Sequence, residues 1–303
     1  MDQHTLVWGL DIGHTSIKAV KLQRAGDQVL VIGYAMEPIA SGEDTDRDEA
    51  VVAALTNLAK REEMRNVPVI AGLSGRQILA KTINVPVINP KKVERMVELE
   101  ARQQIPGDFA DVRWDYHMSA AADGSSHDIA LFAARNEVVA DLIAKCKRAG
   151  VGLVGIATSS IAVYNFVQYD QNFRNDETII VLDVGAENTD LVIYRGDTVW
   201  MRNLSISGND ITRAFMKKFR VSFEEAETLK TQVGDSRQSE RILKVIEASL
   251  VELVSEVQRS LGFYKSQNPD VVFENVVVSG GTFRLPGLAQ FLADRLIMAV
   301  IVE

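Results

Sequence analysis

Two segments of this 303-residue chain, far apart in sequence, are built on one plan. Asp11-Ile12-Gly13-His14-Thr15-Ser16 and Asp183-Val184-Gly185-Ala186-Glu187-Asn188-Thr189-Asp190 each place Asp-x-Gly at the end of an apolar run and a hydroxyl residue at the start of the next. Around the first lie Leu6 to Ile12, Ser16 to Leu22 and Val29 to Met36; around the second lie Thr178 to Val184, Thr189 to Tyr194 and Val199 to Ser205. Short apolar or alternating runs parted by Gly-containing turns predict an antiparallel meander in each half. Helices follow each meander, so the layout is meander plus helices, twice over. At roughly 150 residues per domain the length suits two units.

Either turn alone is ordinary, because Asp and Gly are the usual residues of any hairpin. Two such turns facing each other have more chemistry. Backbone N–H groups and hydroxyls of hairpin turns hold phosphate oxygens, and an Asp at a strand end can hold Mg²⁺ through water. A third element, Ser279-Gly280-Gly281-Thr282-Phe283-Arg284-Leu285-Pro286-Gly287-Leu288, again follows a buried strand, Val276 to Val278, and precedes a helix. Paired glycines let a flat base approach the backbone closely.

Between these elements the periodicity predicts helices at about Asp48 to Met64, from Asn89-Pro90 to Gln104, Glu137 to Ala149, Asp210 to Phe219, Phe223 to Thr231 and Ser239 to Ser266. Val67 to Leu73 is β-rich, and Gly150 stands where a left-handed helix cap is expected. The uncharged stretch Ala149 to Tyr169 has the length of a membrane span, about 20 residues. Its glycines and the polar Thr158, Ser159, Ser160, Asn165 and Gln168 predict instead a strand, a turn and a buried helix.

Composition removes other function classes. The 47% apolar content supports a large core and excludes a disordered or coiled-coil chain. A net charge of −8 gives no attraction to phosphate backbones, so nucleic acid is not an expected partner. Cys146 is the only cysteine, which excludes an internal disulfide and suits a reducing compartment. The start, with Asp2 and Asp11 around a short apolar run, is unlike a signal peptide, and the cytosol is the expected location. His4, His14, His117 and His127 have no ligand spacing with one another or with Cys146. His14 reads as a tolerated turn residue. Gly150-Val151-Gly152-Leu153-Val154-Gly155 fits GxGxxG but follows a helix and precedes a strand, the reverse of a dinucleotide fingerprint.

The three glycine-bearing elements, in this order, resemble the phosphate-1, phosphate-2 and adenosine motifs of the actin, Hsp70 and sugar-kinase superfamily. Within it the chain is most similar to the PilM family of type IV pilus assembly proteins, related to the cell-division protein FtsA. The segments carrying that likeness are Trp8-Gly9-Leu10-Asp11-Ile12-Gly13 with Ser16-Ile17-Lys18-Ala19-Val20-Lys21-Leu22, the helix end Glu98-Leu99-Glu100-Ala101-Arg102-Gln103-Gln104-Ile105-Pro106, and Ala133-Ala134-Arg135-Asn136-Glu137-Val138-Val139. The resemblance implies an α/β, actin-like ATPase fold: two duplicated ribonuclease H-like lobes around a nucleotide cleft, with an inserted small α+β subdomain. Residues 1–83 and 153–177 would form the first lobe, 84–152 the insert, 178–218 and 272–303 the second lobe, and 219–271 its helical subdomain.

Carried over residue by residue, the resemblance makes Asp11 and Asp183 the Mg²⁺-facing carboxylates and gives Gly13, Thr15, Ser16, Gly185, Asn188 and Thr189 to the phosphates of ATP. Lys18 would neutralise phosphate charge, and Gly280, Gly281 and Thr282 would line the adenosine pocket. Glu227 and Lys230 match the helix that contacts sugar and base; an exposed intrahelical ion pair is the other reading of the same spacing.

Two departures matter. The segment Ile156-Ala157-Thr158-Ser159-Ser160-Ile161 has no carboxylate where relatives orient the attacking water, so slow or absent hydrolysis is expected. The chain also ends at Val300-Ile301-Val302-Glu303, where relatives continue into a helix returning to the first domain. The expected role is a cytosolic ATP-binding scaffold of the type IV pilus inner-membrane alignment complex. Its partner would be the cytoplasmic N-terminal peptide of a PilN-like membrane protein, held between the first subdomain and the insert, with Gln103, Gln104, Ile105 and Pro106 nearby. That places it at the cytosolic face of the inner membrane through its partner and without a transmembrane segment. The alternatives are a kinase or ATPase of the same fold with real turnover, and an FtsA-like or type II secretion-related protein, which brings self-association into the expectations.

Overall fold

The computed structural model describes residues 6–42, 45–86, 90–120, 126–169, 177–231 and 239–302. Asn89, expected to open a helix, and His4 lie outside them. The chain forms two compact units, Met1–His117 with Leu131–Phe166 and Met118–Ala130 with Val167–Glu303.

In the first unit β1 (Leu6–Ile12), β2 (Ser16–Ala25) and β3 (Gln28–Pro38) form the expected antiparallel meander. Parallel strands β4 (Val69–Leu73) and, later, β8 (Leu153–Thr158) extend it, giving the order β3-β2-β1-β4-β8. Helices α1 (Arg47–Arg61) and α3 (Asn136–Arg148) cover one face. Asp46 caps α1 by accepting from the N–H groups of Asp48 and Glu49. Trp8, Leu10, Ile17, Ala71, Leu55, Leu58 and Cys146 are among the residues of the core between sheet and helices. Residues 78–135 supply β5 (Ile78–Pro86), α2 (Pro90–Gln104), β6 (Val112–Ala120) and β7 (Ser126–Arg135), with a separate sheet in the order β5-β7-β6. The sequence reading assigned none of these three strands, although β6 alternates apolar and polar residues from Val112 to Ser119. The apolar, Ala-rich end of β7 fits helix or strand equally, and β5 alternates exposed and buried residues only over its last part, where Ile83 and Val85 are buried.

The second unit repeats the plan. Strands β9 (Thr178–Val184), β10 (Thr189–Arg195) and β11 (Thr198–Leu204) form the meander, and β12 (Asn275–Ser279) and β13 (Ala299–Val302) add in parallel. The order β11-β10-β9-β12-β13 is that of the first sheet, position for position. Even the second turn of each meander recurs: Gly26-Asp27 and Gly196-Asp197 are two-residue loops whose glycines have φ of +66° and +59°, which suits a tight hairpin. Helices α5 (Gly208–Phe219), α6 (Phe223–Thr231), α7 (Ser239–Gln267) and α8 (Leu288–Leu296) complete the unit. Phe215, Leu250, Val257 and Leu292 pack against Ile180, Leu182 and Val278 in its core.

The stretch read as strand, turn and buried helix differs in two ways. β8 runs straight into α4 (Ser159–Tyr169), and α4 is half open, with Phe166 49% and Tyr169 50% exposed. Lack of charge there reflects composition, not burial. Among the described residues no helix is long and apolar enough to cross a membrane.

Candidate functional site

In the first unit the turn after β1 closes on itself, with the Gly13 N–H donating to the Ser16 carbonyl at 3.1 Å. A Cβ on Gly13 would lie 3.0 Å from that same oxygen, so a side chain there would push the turn open by a few tenths of an ångström. Asp11, exposed at the strand end, is paired in register with Lys18, whose Nζ donates to its carboxylate at 3.0 Å. Thr15 is exposed, and Ser16 begins β2 half-buried. The Ile39 N–H donates to the Thr15 carbonyl at 2.9 Å. Arg47, first residue of α1, donates from Nη2 to the Gly13 carbonyl at 3.0 Å. Nothing in the sequence marks it: an Arg at a helix start reads as a solvated side chain.

The second unit's turn closes by the equivalent bond, Gly185 N–H to the Asn188 carbonyl at 2.8 Å. Here the surroundings are richer. The Gly185 carbonyl accepts from the Gly208 N–H at 2.9 Å and from Thr282 Oγ1 at 3.1 Å, and the Asn209 N–H donates to the Ala186 carbonyl at 2.7 Å. Gly280 follows β12 with φ of +101°, and a Cβ there would fall 2.4 Å from the Val184 carbonyl and 2.6 Å from Asp183 Oδ1. Only glycine fits. The half-buried Asp183 lies in register with Ser279 of β12 and Asp190 of β10. Asp183, Gly185, Gly280 and Thr282 are thus brought together, while a Cβ on Gly281 would meet nothing within 4 Å.

Thr189 is fully buried, and its Oγ1 donates to the Ile206 carbonyl at 2.5 Å. Asn188 turns its side chain to Asp190, donating at 2.9 Å; Asn203 donates to the other Asp190 oxygen at 2.9 Å and also to Asn188 Oδ1. The sequence reading missed Asp190, Asn203 and the start of α5. The last had a signal: Ser207-Gly208-Asn209-Asp210 is a helix-capping pattern, and Asp210 accepts from both the N–H and the hydroxyl of Ser207. Burial pushes the Asp210 carboxyl up, but hydrogen bonds from Arg213 and Ser207 outweigh it and hold the pKa below the ordinary value.

Glu227 and Lys230 do form a pair, yet not an exposed one. Lys230 is 8% exposed, and its Nζ reaches Glu227 at 2.5 Å, Thr212 Oγ1 at 2.8 Å and the Gly208 carbonyl at 3.4 Å. Thr212 Oγ1 also donates to Glu227. The pair therefore fastens α6 to the first turns of α5, whose Gly208 touches the second turn. Among the described residues no three His, Cys, Asp or Glu side chains are grouped to hold a metal ion.

A groove of about 770 Å³ opens elsewhere in the first unit. Its walls come from the start of β5 (Ile78, Leu79), the loop after α2 (Ile105, Pro106) and the junction of β7 with α3 (Arg135, Asn136). Of the four helix-end residues expected near a groove, Ile105 and Pro106 line it; Gln104 instead accepts from Lys81 at 3.2 Å.

Set beside known proteins, residues 9–303 match the family model described as Type IV pilus assembly protein PilM. The chain belongs to this family. A solved PilM-PilN type IV pilus biogenesis complex is 28% identical with a TM-score of 0.81, over 98% of this chain and 88% of that one. The cell division protein FtsA of Bacillus subtilis (strain 168) is 24% identical over 98% of this chain and 78% of its own length. MreB 5 of Spiroplasma citri, solved bound to AMPPNP, is 14% identical with a TM-score of 0.56, over 100% of this chain and 92% of that one. At that identity the likeness shows fold alone. This PilM-family chain has the actin-like ATPase fold, as its duplicated sheets already indicate.

Proposed function

We propose that this PilM-family chain is a nucleotide-binding scaffold of type IV pilus assembly whose first unit holds the cytoplasmic N-terminal peptide of a PilN-like membrane protein. The observation that carries the reading is the groove of about 770 Å³ between β5, the loop after α2 and the start of α3. Apolar Ile78, Leu79, Ile105 and Val112 line it beside polar Asn136 and Arg135, the mixture that suits a peptide segment. A solved relative in this family is a complex with PilN. Attachment at the cytosolic face of the inner membrane follows from such a partner.

ATP is the nucleotide this reading assigns. In each unit the turn closes by the same N–H to carbonyl bond, and Gly280, without a side chain, lets the end of β12 lie close against Val184 and Asp183. Turn N–H groups with Thr15 and Ser16 would hold phosphates, the Asn188 amide being engaged instead with Asp190 and Asn203; Lys18 would offset their charge, and Gly280, Gly281 and Thr282 would take the adenosine. Asp11 and Asp183 would hold Mg²⁺ through water, and the ion would supply charge neutralisation. Thr158, the last residue of β8, and Ser160 in the first turn of α4 hydrogen-bond to each other at 3.1 Å, and a hydroxyl is a weak base, so turnover is slow or absent. The family match over residues 9–303 favours the pilus over cell division.

The test is a titration of the purified chain with a synthetic PilN N-terminal peptide, with and without Mg-ATP, read by fluorescence anisotropy and calorimetry. Saturable binding of both ligands supports the scaffold. A folded chain that binds neither ends it, and steady phosphate release would move the reading to an ATPase.

A further inference from the structure

Two residues that face each other as a hydrogen-bonded pair across a hairpin exchange both of their N–H to carbonyl bonds. Neither Asp-x-Gly turn does so. The Gly13 N–H donates to the Ser16 carbonyl at 3.1 Å, but among the described residues the return bond, from the Ser16 N–H to the Gly13 carbonyl, is not made. In the second unit the Gly185 N–H donates to the Asn188 carbonyl at 2.8 Å, and the return bond is again not made. In each case the glycine carbonyl goes to the first residue of the helix that follows the meander. Gly208, which opens α5, reaches Gly185 with its backbone N–H at 2.9 Å, joined by Thr282 Oγ1 at 3.1 Å. Arg47, which opens α1, reaches Gly13 with its side chain, from Nη2 at 3.0 Å.

Helix energetics give no reason for a cation at that place, since positive charge in the first turn opposes the helix dipole. The carboxylates beside it are engaged elsewhere. Asp46 caps α1, Asp48 pairs with Lys145 at 2.6 Å, and Glu49 pairs with Arg148 at 2.7 Å. The half-buried Arg47 turns instead to a carbonyl 34 residues back in the chain. The Thr15 and Ser16 carbonyls are likewise covered, by the Ile39 and Gly13 N–H groups. Because a peptide group is planar and trans, a fixed Gly13 carbonyl also fixes the His14 N–H in the opposite direction.

We propose that Arg47 is a positioning residue of the first turn: by holding the Gly13 carbonyl it keeps the turn from closing and reserves the Ser16 N–H for a phosphate oxygen. The inference rests on reading this turn as part of a nucleotide site, and adds that its donors are set up by a side chain from another element. Without the guanidinium the carbonyl is free to take the Ser16 N–H, and the turn has one donor fewer for an anion. The second unit needs no such residue, because a helix N–H and a hydroxyl hold its carbonyl.

The experiment uses the full chain, ¹⁵N-labelled, with Mg-ATP as the probe. In wild type the Ser16 amide should exchange freely with solvent before nucleotide is added and slow by about tenfold or more at saturation, read by NMR. Arg47→Met, which cannot donate, should slow that exchange in the nucleotide-free chain. It should also weaken Mg-ATP by about tenfold in calorimetry, with a thermal midpoint close to wild type. Arg47→Lys retains a donor and should restore most of the affinity. A Ser16 amide already protected in the free wild-type chain, or one that Mg-ATP leaves unchanged, overturns the proposal, and this arm stands even where Arg47→Met does not fold. Equal affinity of wild type and Arg47→Met, or equal losses in Arg47→Met and Arg47→Lys, overturns it while leaving the turn a nucleotide site. No binding of Mg-ATP by a folded wild-type chain overturns both.

Discussion

Thr282 Oγ1 donates to the Gly185 carbonyl at 3.1 Å, joining residues 97 apart in sequence. The Gly208 N–H reaches the same oxygen at 2.9 Å, so both of its lone pairs are used. One carbonyl therefore ties together the turn after β9, the start of α5 and the glycine pair after β12. A Cβ on Gly208 would sit 2.6 Å from Thr282 Oγ1, so the closeness of the three segments depends on the missing side chain.

Gly280→Ala should be strongly destabilising. Its φ of +101° suits glycine, and the new methyl would lie 2.4 Å from the Val184 carbonyl. A loss of about 1–3 kcal/mol from backbone strain, with the clash added, is expected in urea denaturation. Gly281→Ala meets open space and should stay within about 1 kcal/mol of wild type. Equal melting of the two variants would count against the described backbone.

Asp11 and Lys18 separate folding from binding. Their ion pair is largely solvent-exposed, at 60% and 53% of each side chain, so Asp11→Asn or Lys18→Gln should change stability by less than about 1 kcal/mol. If these groups hold Mg-ATP, calorimetry should show affinity down by about tenfold or more in each variant. Unchanged affinity would remove both residues from the nucleotide site.

Lys230 is a different case, because its ammonium is buried against Glu227, Thr212 and Gly208. Lys230→Met keeps the stem and deletes charge-assisted hydrogen bonds; a loss of about 1.5–3 kcal/mol is expected. Glu227→Gln retains an acceptor oxygen and should lose less. Denaturant midpoints of the two variants and their double mutant give the coupling directly.

Cys146 makes stability fall at alkaline pH. The thiol is fully buried in α3, and burial pushes its pKa up to about 11. In the unfolded chain it ionises near about 8.5. Because the folded value is the higher, its contribution is complete below about pH 8.5 and is lost as the pH rises toward about 11. The wild-type denaturation midpoint should therefore drop more than that of Cys146→Ala across this window. In the native chain at pH 7.5 the thiol should react with a disulfide reagent only as fast as the protein opens.

Much of the fold was legible because its signals are local. Alternation in Leu6 to Met36 and Thr178 to Leu204, and glycine at the turns, predicts both meanders, and α6 begins and ends where its periodicity does. The β5-β7-β6 sheet was legible only in part: β6 alternates from Val112 to Ser119 and carries a strand signal that the sequence reading passed over, whereas the apolar run of β7 fits either period and β5 pairs with β7 across an intervening helix and strand. At the site, Asp183, Gly185 and Gly280 were marked by residue type and position. Arg47, Asp190 and Asn203 carried no local sign, since each matters only through a group from another strand or turn.

The order of residues alone determined that this chain is a duplicated α/β protein with paired Asp-x-Gly turns and a glycine pair closing each candidate phosphate and base position. Turn chemistry and strand alternation act over a few neighbouring residues, so they are written in the string. Tertiary structure alone decided that the Thr189 hydroxyl turns inward to Ile206 and that Lys230 is buried on Gly208. Those outcomes depend on burial and on hydrogen bonds between distant segments, and both exist only once the chain has packed.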